Sequence, residues 1–278
     1  MIRNVLVFSN LTKDPDHKHT SRLIDFLSSM GAHVYMFDRE PLPGAEYLEE
    51  GRSENLDLAI ALGGDGTMIR CGHKLQGSGV PVIGINLGTL GYLTEIELDS
   101  MEDSVRLALS GSFTVEERVM LEAKIGDDPK RYTAINDIVI HRDLSDGILT
   151  LRCDINKHFL AEFRADGVII ATPCGSTAYN FSAGGPILNP VSDNLILTPL
   201  CSHAMLDRSV VLRGEDELDF YIGGFTKEDH ALFIADGGRA VTIPSDTWIH
   251  VKKSRFTFPL ARVTDRSFYE IVQRKMRP

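Results

Sequence analysis

The residues Asp57-Leu58-Ala59-Ile60-Ala61-Leu62 run straight into Gly63-Gly64-Asp65-Gly66-Thr67 and then Met68-Ile69-Arg70. A short, uninterrupted apolar run that ends in glycines reads as a strand buried on both faces of a parallel sheet. A helix is expected to leave the turn. Glycines let a ligand approach the backbone closely, and the helix N-terminus offers free N–H groups to phosphates. Asp65 would then stand at the carboxyl end of a parallel strand, the usual ligand edge of such a sheet. The bland alternative is a tight turn with Asp65 as helix N-cap.

The surrounding pattern agrees with a parallel sheet. Val5 to Phe8, Val34 to Phe37, Leu56 to Leu62 and Val80 to Ile85 are short apolar runs. Between the first two, Leu23, Ile24, Leu27 and Met30 recur at helical spacing, with Thr20 or Ser21 available as a cap and Gly31 as terminator. Strand-helix-strand alternation of this kind predicts an α/β domain over residues 1–111. Past Gly111 the period changes to two: Leu149, Leu151, Cys153 and Ile155 fall on one face and Thr150, Arg152, Asp154 and Asn156 on the other. Similar runs at 132–141, 168–172, 218–222, 232–235 and 248–252 predict an antiparallel β-rich domain over 112–263, with a terminal helix within 264–278 that could pack on the first domain.

Composition sets limits on partners. The chain of 278 residues carries a formal net charge of −10, so its surface repels phosphate backbones and anionic membranes. Neither nucleic acid nor a membrane is expected as a partner, whereas a small anionic ligand can still be held by local N–H groups or one Arg. The four cysteines are scattered and form no C-x-x-C pair, and the only early apolar run is too short for a signal-peptide core. Reduced thiols and a cytoplasmic location are expected. The turn after the first strand, Ser9 to Asp14, has no glycine, no Gly is followed by Lys, and no His-Glu-x-x-His or Gly-x-Ser-x-Gly string occurs. A standard dinucleotide fingerprint, a P-loop, a zincin and an α/β-hydrolase are thereby disfavoured.

Two further segments are rich in glycine and hydroxyl groups. Gly84 to Leu93 follows the fourth apolar run and would lie beside the Gly63 turn. In the β-rich half, Arg164-Ala165-Asp166-Gly167 leads through a buried run to Thr172-Pro173-Cys174-Gly175-Ser176-Thr177-Ala178-Tyr179-Asn180-Phe181-Ser182. Its hydroxyls can donate and accept, and Tyr179 can stack on a base. The alternative is a Ser/Thr-rich loop that satisfies its own backbone.

Gly63 to Thr67, Asn136-Asp137, Asp166-Gly167, Thr172 to Ser182 and Asp236-Gly237 together, in this order, resemble the NAD kinase family. Gly-Gly-Asp-Gly alone is shared with diacylglycerol, sphingosine and phosphofructokinase relatives, whereas Thr177-Ala178-Tyr179-Asn180-x-Ser182 is characteristic. The resemblance covers essentially the whole chain. It implies a Rossmann-like N-terminal domain, a C-terminal β-sandwich domain, and transfer of the terminal phosphoryl group of ATP or polyphosphate to the adenosine-ribose 2′-hydroxyl of NAD. By the same resemblance Asp65 is the general base and an NAD contact. Gly66, Arg70, Asn136, Asp137, Arg164, Asp166, Thr177, Ala178, Tyr179, Asn180, Phe181 and Ser182 are the other NAD-binding positions. It also implies Mg2+ or another divalent cation accompanying ATP, with no fixed protein metal ligand, and a homodimer or homotetramer. The chain departs from the family pattern at Asp137, where Glu is common, at Cys174, where Thr or Ser is common, and at Gly238, where Gln often follows the Asp-Gly turn. A lipid or sugar kinase sharing the glycine turn, or a non-catalytic dinucleotide sensor, are the alternative readings.

Overall fold

The computed structural model describes residues 2–88, 91–143, 148–202, 206–223 and 230–276. It divides into two compact units: residues 1–117 with 257–278, and residues 118–256.

The first unit begins with β1 (Asn4–Ser9), α1 (Lys18–Ser29), β2 (His33–Met36), β3 (Glu46–Tyr47), β4 (Leu58–Gly63), α2 (Asp65–Lys74), β5 (Val82–Asn86), β6 (Ile96–Glu97) and α3 (Met101–Leu109). Its strands pair in parallel in the order β3-β2-β1-β4-β5. β4 is buried at all six positions, as its unbroken apolar run requires. Leu23, Ile24 and Leu27 of α1 and Met101, Val105 and Ala108 of α3 pack into the same core as Val5, Ile60 and Ile83. The α1 start differs from the sequence reading. The helix begins at Lys18, and neither Thr20 nor Ser21 caps it; Asp14 does, accepting from the backbone N–H groups of His19 (3.1 Å) and Thr20 (2.8 Å) and from the Thr20 hydroxyl (2.6 Å).

The chain passes through β7 (Thr114–Ile125) into the second unit. There follow β8 (Tyr132–Ala134), β9 (Asp137–Arg142), β10 (Leu149–Ile155), β11 (His158–Ala165), β12 (Gly167–Ala171), α4 (Tyr179–Ser182), β13 (Asn194–Leu200), β14 (Val210–Arg213), β15 (Leu218–Gly223), β16 (His230–Ala235), β17 (Val241–Pro244) and β18 (Trp248–Arg262). One antiparallel sheet has the order β14-β13-β12-β9-β16-β17, and a second pairs β11-β10-β15-β18. Alternate residues of both, including Ile140, Val168, Leu197 and Phe233 from one and Leu151, Phe163, Phe220 and Ile249 from the other, meet in a single core. The unit is a β-sandwich. Alternation along β10 holds from Leu149 to Cys153; there the register against β11 shifts, and Asp154 is buried instead of exposed.

β18 crosses back, and its end pairs in parallel with β5 at Leu260↔Val82. The terminal helix α5 (Phe268–Lys275) is capped by Ser267 and belongs to the first unit. Among the described residues no helix is long and apolar enough to cross a membrane, and none of the four cysteines forms a disulfide.

Candidate active site

In the first unit the glycine turn becomes the start of α2. Gly64 is the N-cap, in an extended conformation, and Asp65 is the first helical residue. Its carboxylate therefore does not cap the helix. It turns onto the Gly91–Thr94 segment, where Oδ2 accepts from the Tyr92 N–H (2.7 Å) and Oδ1 from those of Leu93 (2.9 Å) and Thr94 (3.3 Å). A Cβ at Gly91 would lie 1.9 Å from Asp65 Oδ1, so only glycine admits this approach. The turn is held in place from outside: the Tyr92 ring rests against Phe268 of α5 at 6.3 Å between centroids, with the Lys275 ammonium 4.7 Å from its centre. Gly66 faces open space, and Arg70, one turn on, donates to the Thr67 hydroxyl at 3.3 Å.

In the second unit Asn136 and Asp137 sit where β8 gives way to β9. The sequence reads as a single strand over 132–141; the structure breaks it at Ile135 and Asn136. The break is fixed by Asp236, whose carboxylate accepts from the N–H groups of Ile135 (2.7 Å), Asn136 (2.7 Å) and Asp137 (3.1 Å). From the other side the Asn136 carbonyl receives the Thr172 N–H at 2.8 Å, and a Cβ at Gly175 would lie 2.0 Å from that carbonyl oxygen. Asn136, Asp137, Tyr179 and Asp236 line a cavity of about 660 Å3 whose apolar walls include Val139, Leu232 and Ile234. Asp137 is only 5% exposed. Burial, and then the Asp236 charge, push its carboxyl up to about 7.

The hydroxyl-rich loop divides into a scaffold and a rim. Thr172 donates to the Ile135 carbonyl (2.6 Å) and accepts from the Gly175 N–H (3.0 Å), while Ser176 donates to the Pro173 carbonyl (2.6 Å) and accepts from the Leu188 N–H (3.0 Å). The Asn180 side chain is fully buried and bonded to Ser176, Pro186 and Thr198. These groups hold the loop's shape. Ala178 and Tyr179 line the cavity, Thr177 donates to the Cys174 carbonyl, and Phe181 and Ser182 are exposed. Asp166 and Arg164 do not line it. Asp166 pairs with Arg142, a cavity residue, at 2.6 Å, and this bond holds its carboxyl below the usual range. Arg164 is an exposed position of β11. The sequence marks Asp236 only as part of an Asp-Gly turn; its positive φ of 47° and three amide contacts make it the clamp of the Asn136-Asp137 corner.

Residues 9–113 match the family model of the ATP-NAD kinase N-terminal domain and residues 135–263 that of the ATP-NAD kinase C-terminal domain. The chain is 32% identical over 281 residues to an NAD kinase of Lachnoclostridium phytofermentans, covering 99% of each, and 34% identical over 280 residues to one of Agathobacter rectalis, again covering 99% of each. Among solved structures it superimposes on yeast NADH kinase complexed with NADH at TM-score 0.83 and 25% identity, covering 98% of this chain and 86% of that one. An NAD kinase from Archaeoglobus fulgidus in complex with ATP shares the fold at TM-score 0.77 and 24% identity, covering 99% and 98%. With both domain models matched in order and whole-length relatives above 30% identity, the chain belongs to the NAD kinase family.

Proposed function

We propose that the chain transfers the terminal phosphoryl group of ATP to the 2′-hydroxyl of the adenosine ribose of NAD, releasing ADP and forming NADP. The observation that carries this reading is the whole-length match to NAD kinases, with Asp65 placed at the carboxyl end of β4 as the first residue of α2. In the reaction the ribose oxygen bonds to the terminal phosphorus as the bond from that phosphorus to the bridging oxygen breaks. The hydroxyl proton passes to Asp65 and on to water. Such transfer has a loose transition state in which positioning and charge dominate, so one well-placed carboxylate is enough. A carboxylate has about four lone-pair directions. The amides of residues 92–94 take three, which fixes the orientation of the group and leaves one direction for the hydroxyl. The proton then moves late, after the phosphorus–oxygen bond is largely made.

For NAD, the proposed contacts are Asn136 and Asp137 to hydroxyl and amide groups of the nucleoside and Tyr179 to a flat ring, all three lining one cavity. Gly66, Arg70, Arg164, Asp166, Thr177, Ala178, Asn180, Phe181 and Ser182 belong to the same proposal, Asn180 through the shape of the loop. Among the described residues no group of three or more His, Cys, Asp or Glu side chains could hold a metal ion. A divalent cation would accordingly arrive with ATP, ligated mainly by phosphate oxygens and water. A cytoplasmic location and a homodimer or homotetramer are also part of this reading.

The test is NADP formation from ATP, Mg2+ and NAD by the purified protein, read with an NADP-specific dehydrogenase. Asp65→Asn should lower turnover at least ~10²-fold with calorimetric NAD affinity little changed. Near wild-type turnover in that variant would remove Asp65 from the role of base.

A further inference from the structure

In the first unit the strand order β3-β2-β1-β4-β5 changes direction between β1 and β4, so the loops leaving their carboxyl ends diverge. A crevice opens at such a point, and ligands of open α/β sheets settle there. One lip is the Gly63–Thr67 turn. The other is the loop from Asn10 to His17, and Asn10 ties the two together: its N–H donates to the Leu62 carbonyl (3.0 Å) and its Nδ2 to the Thr67 hydroxyl (3.2 Å). The Asn10 side-chain oxygen accepts from the Thr12 N–H (3.0 Å) and its carbonyl from the Lys13 N–H (2.9 Å), which folds the loop into a tight turn.

That turn lays Lys13 across the crevice. Its ammonium stands 3.0 Å from the place a Gly64 Cβ would occupy and 3.5 Å from that of a Gly88 Cβ. It therefore lies against two stretches of bare backbone, one of them adjoining Asp65. Lys13 also lines a cavity of about 350 Å3 with Asn86, Gly88, Glu97 and Arg274.

Lys13 is exposed, and none of the ion pairs among the described residues includes it, although Glu97 and Asp99 line the same cavity. The neighbouring Asp14 is occupied as the α1 cap, and Glu97 is taken by Arg274 at 2.9 Å and Arg266 at 3.8 Å. An exposed ammonium outside any ion pair thus stands against the Gly64 backbone at the start of α2, a surrounding that suits an oxyanion.

We propose that Lys13 binds the phosphate groups of the phosphoryl donor, the task a P-loop lysine performs in folds that have one. This rests on the kinase reading above and adds a residue that neither the motifs nor the resemblance singled out. As the terminal phosphorus–oxygen bond breaks, charge gathers on the bridging oxygen that leaves with ADP; a fixed ammonium beside it stabilises that state more than the ground state. Lys13 forms no covalent bond and transfers no proton.

The experiment compares the full-length wild type with Lys13→Ala and Lys13→Arg. For Lys13→Ala, kcat/KM for MgATP should fall ~10²-fold or more, calorimetric NAD affinity should stay within about twofold, and Lys13→Arg should recover a large part of the loss. The ATP-induced rise in melting temperature, measured without NAD, should be present in the wild type and absent in Lys13→Ala. An equal rise in both proteins overturns the proposal, whatever the acceptor substrate. So does an equal loss of NAD and ATP affinity, which would make Lys13 a support of the crevice wall. A wild type that binds ATP through Lys13 yet forms no NADP would instead overturn the NAD kinase reading and leave the donor site standing.

Discussion

Asp65 and Gly91 form one device. The backbone angles at Gly91 are open to any residue, and only the carboxylate 1.9 Å from its missing Cβ demands glycine. Gly91→Ala must displace either Asp65 or the turn that orients it. The expected result is a stability loss of about 1–3 kcal/mol and a fall in turnover of more than ~10-fold, measured by denaturant titration and NADP formation. The strand–glycine–helix pattern is legible in the sequence because it is local. The partner of Asp65 is not, since residues 92–94 lie far along the chain and nothing in their own composition marks them as amide donors to a carboxylate. For the same reason the N-cap reading of Asp65 fails: a carboxylate offered three amides elsewhere leaves the cap to Gly64.

Elements reach their places through a few buried polar anchors. Glu95, 2% exposed, accepts from the Val263 N–H (2.6 Å) and the Thr264 hydroxyl (2.8 Å) and pairs with Arg262, 8% exposed, at 2.9 Å. It thereby pins the end of β18 next to the turn that carries Tyr92. Glu95→Ala would strand the Arg262 charge in the interior and should cost about 3–5 kcal/mol, read as a lowered denaturation midpoint. Replacing both Glu95 and Arg262 by apolar residues of similar volume should cost less than the single change, and an equal or greater cost would mean that the backbone bonds, not the charge pair, carry the anchor. The hydroxyl-rich loop follows a similar logic. Thr172 and Ser176, which the sequence offers as ligand groups, are consumed internally, and the loop presents Ala178 and Tyr179 to the cavity instead.

For the molecule as a whole, the Asp137–Asp236 pair makes stability depend on pH. Burial of Asp137 opposes its ionisation, and the Asp236 charge in the same cavity adds to that. Asp236 is satisfied by three amides, and Asp137 is the member pushed up to about 7, from an unfolded value of 3.8. The folded state therefore binds the proton more tightly. The stability that this provides is complete below about pH 4 and is lost as pH rises through about 7. Asp137→Asn cannot ionise, so relative to the wild type it should gain more than about 1 kcal/mol between pH 5 and pH 8 in denaturant titrations. A difference between the two proteins that does not change with pH would mean that Asp137 is ionised throughout.

Whatever depends on neighbours along the chain can be read from residue order: the buried parallel strands, the period-two alternation of the sandwich, the terminal helix from Ser267, and the glycine turn that launches α2 at Asp65. Residue order also carries the family, because the motifs stand in sequence from Gly63 to Gly237. Partners far apart in the chain settle the rest, and only folding brings them together. The Asp65 carboxylate is oriented by the amides of residues 92–94, the Asn136-Asp137 corner is set by Asp236 about a hundred residues away, and the exposed Lys13 is given its setting by two glycines brought beside it. Periodicity reports which face of an element is buried; it carries no information about which distant backbone donor or acceptor will meet a polar side chain, and that pairing is where this site acquires its chemistry.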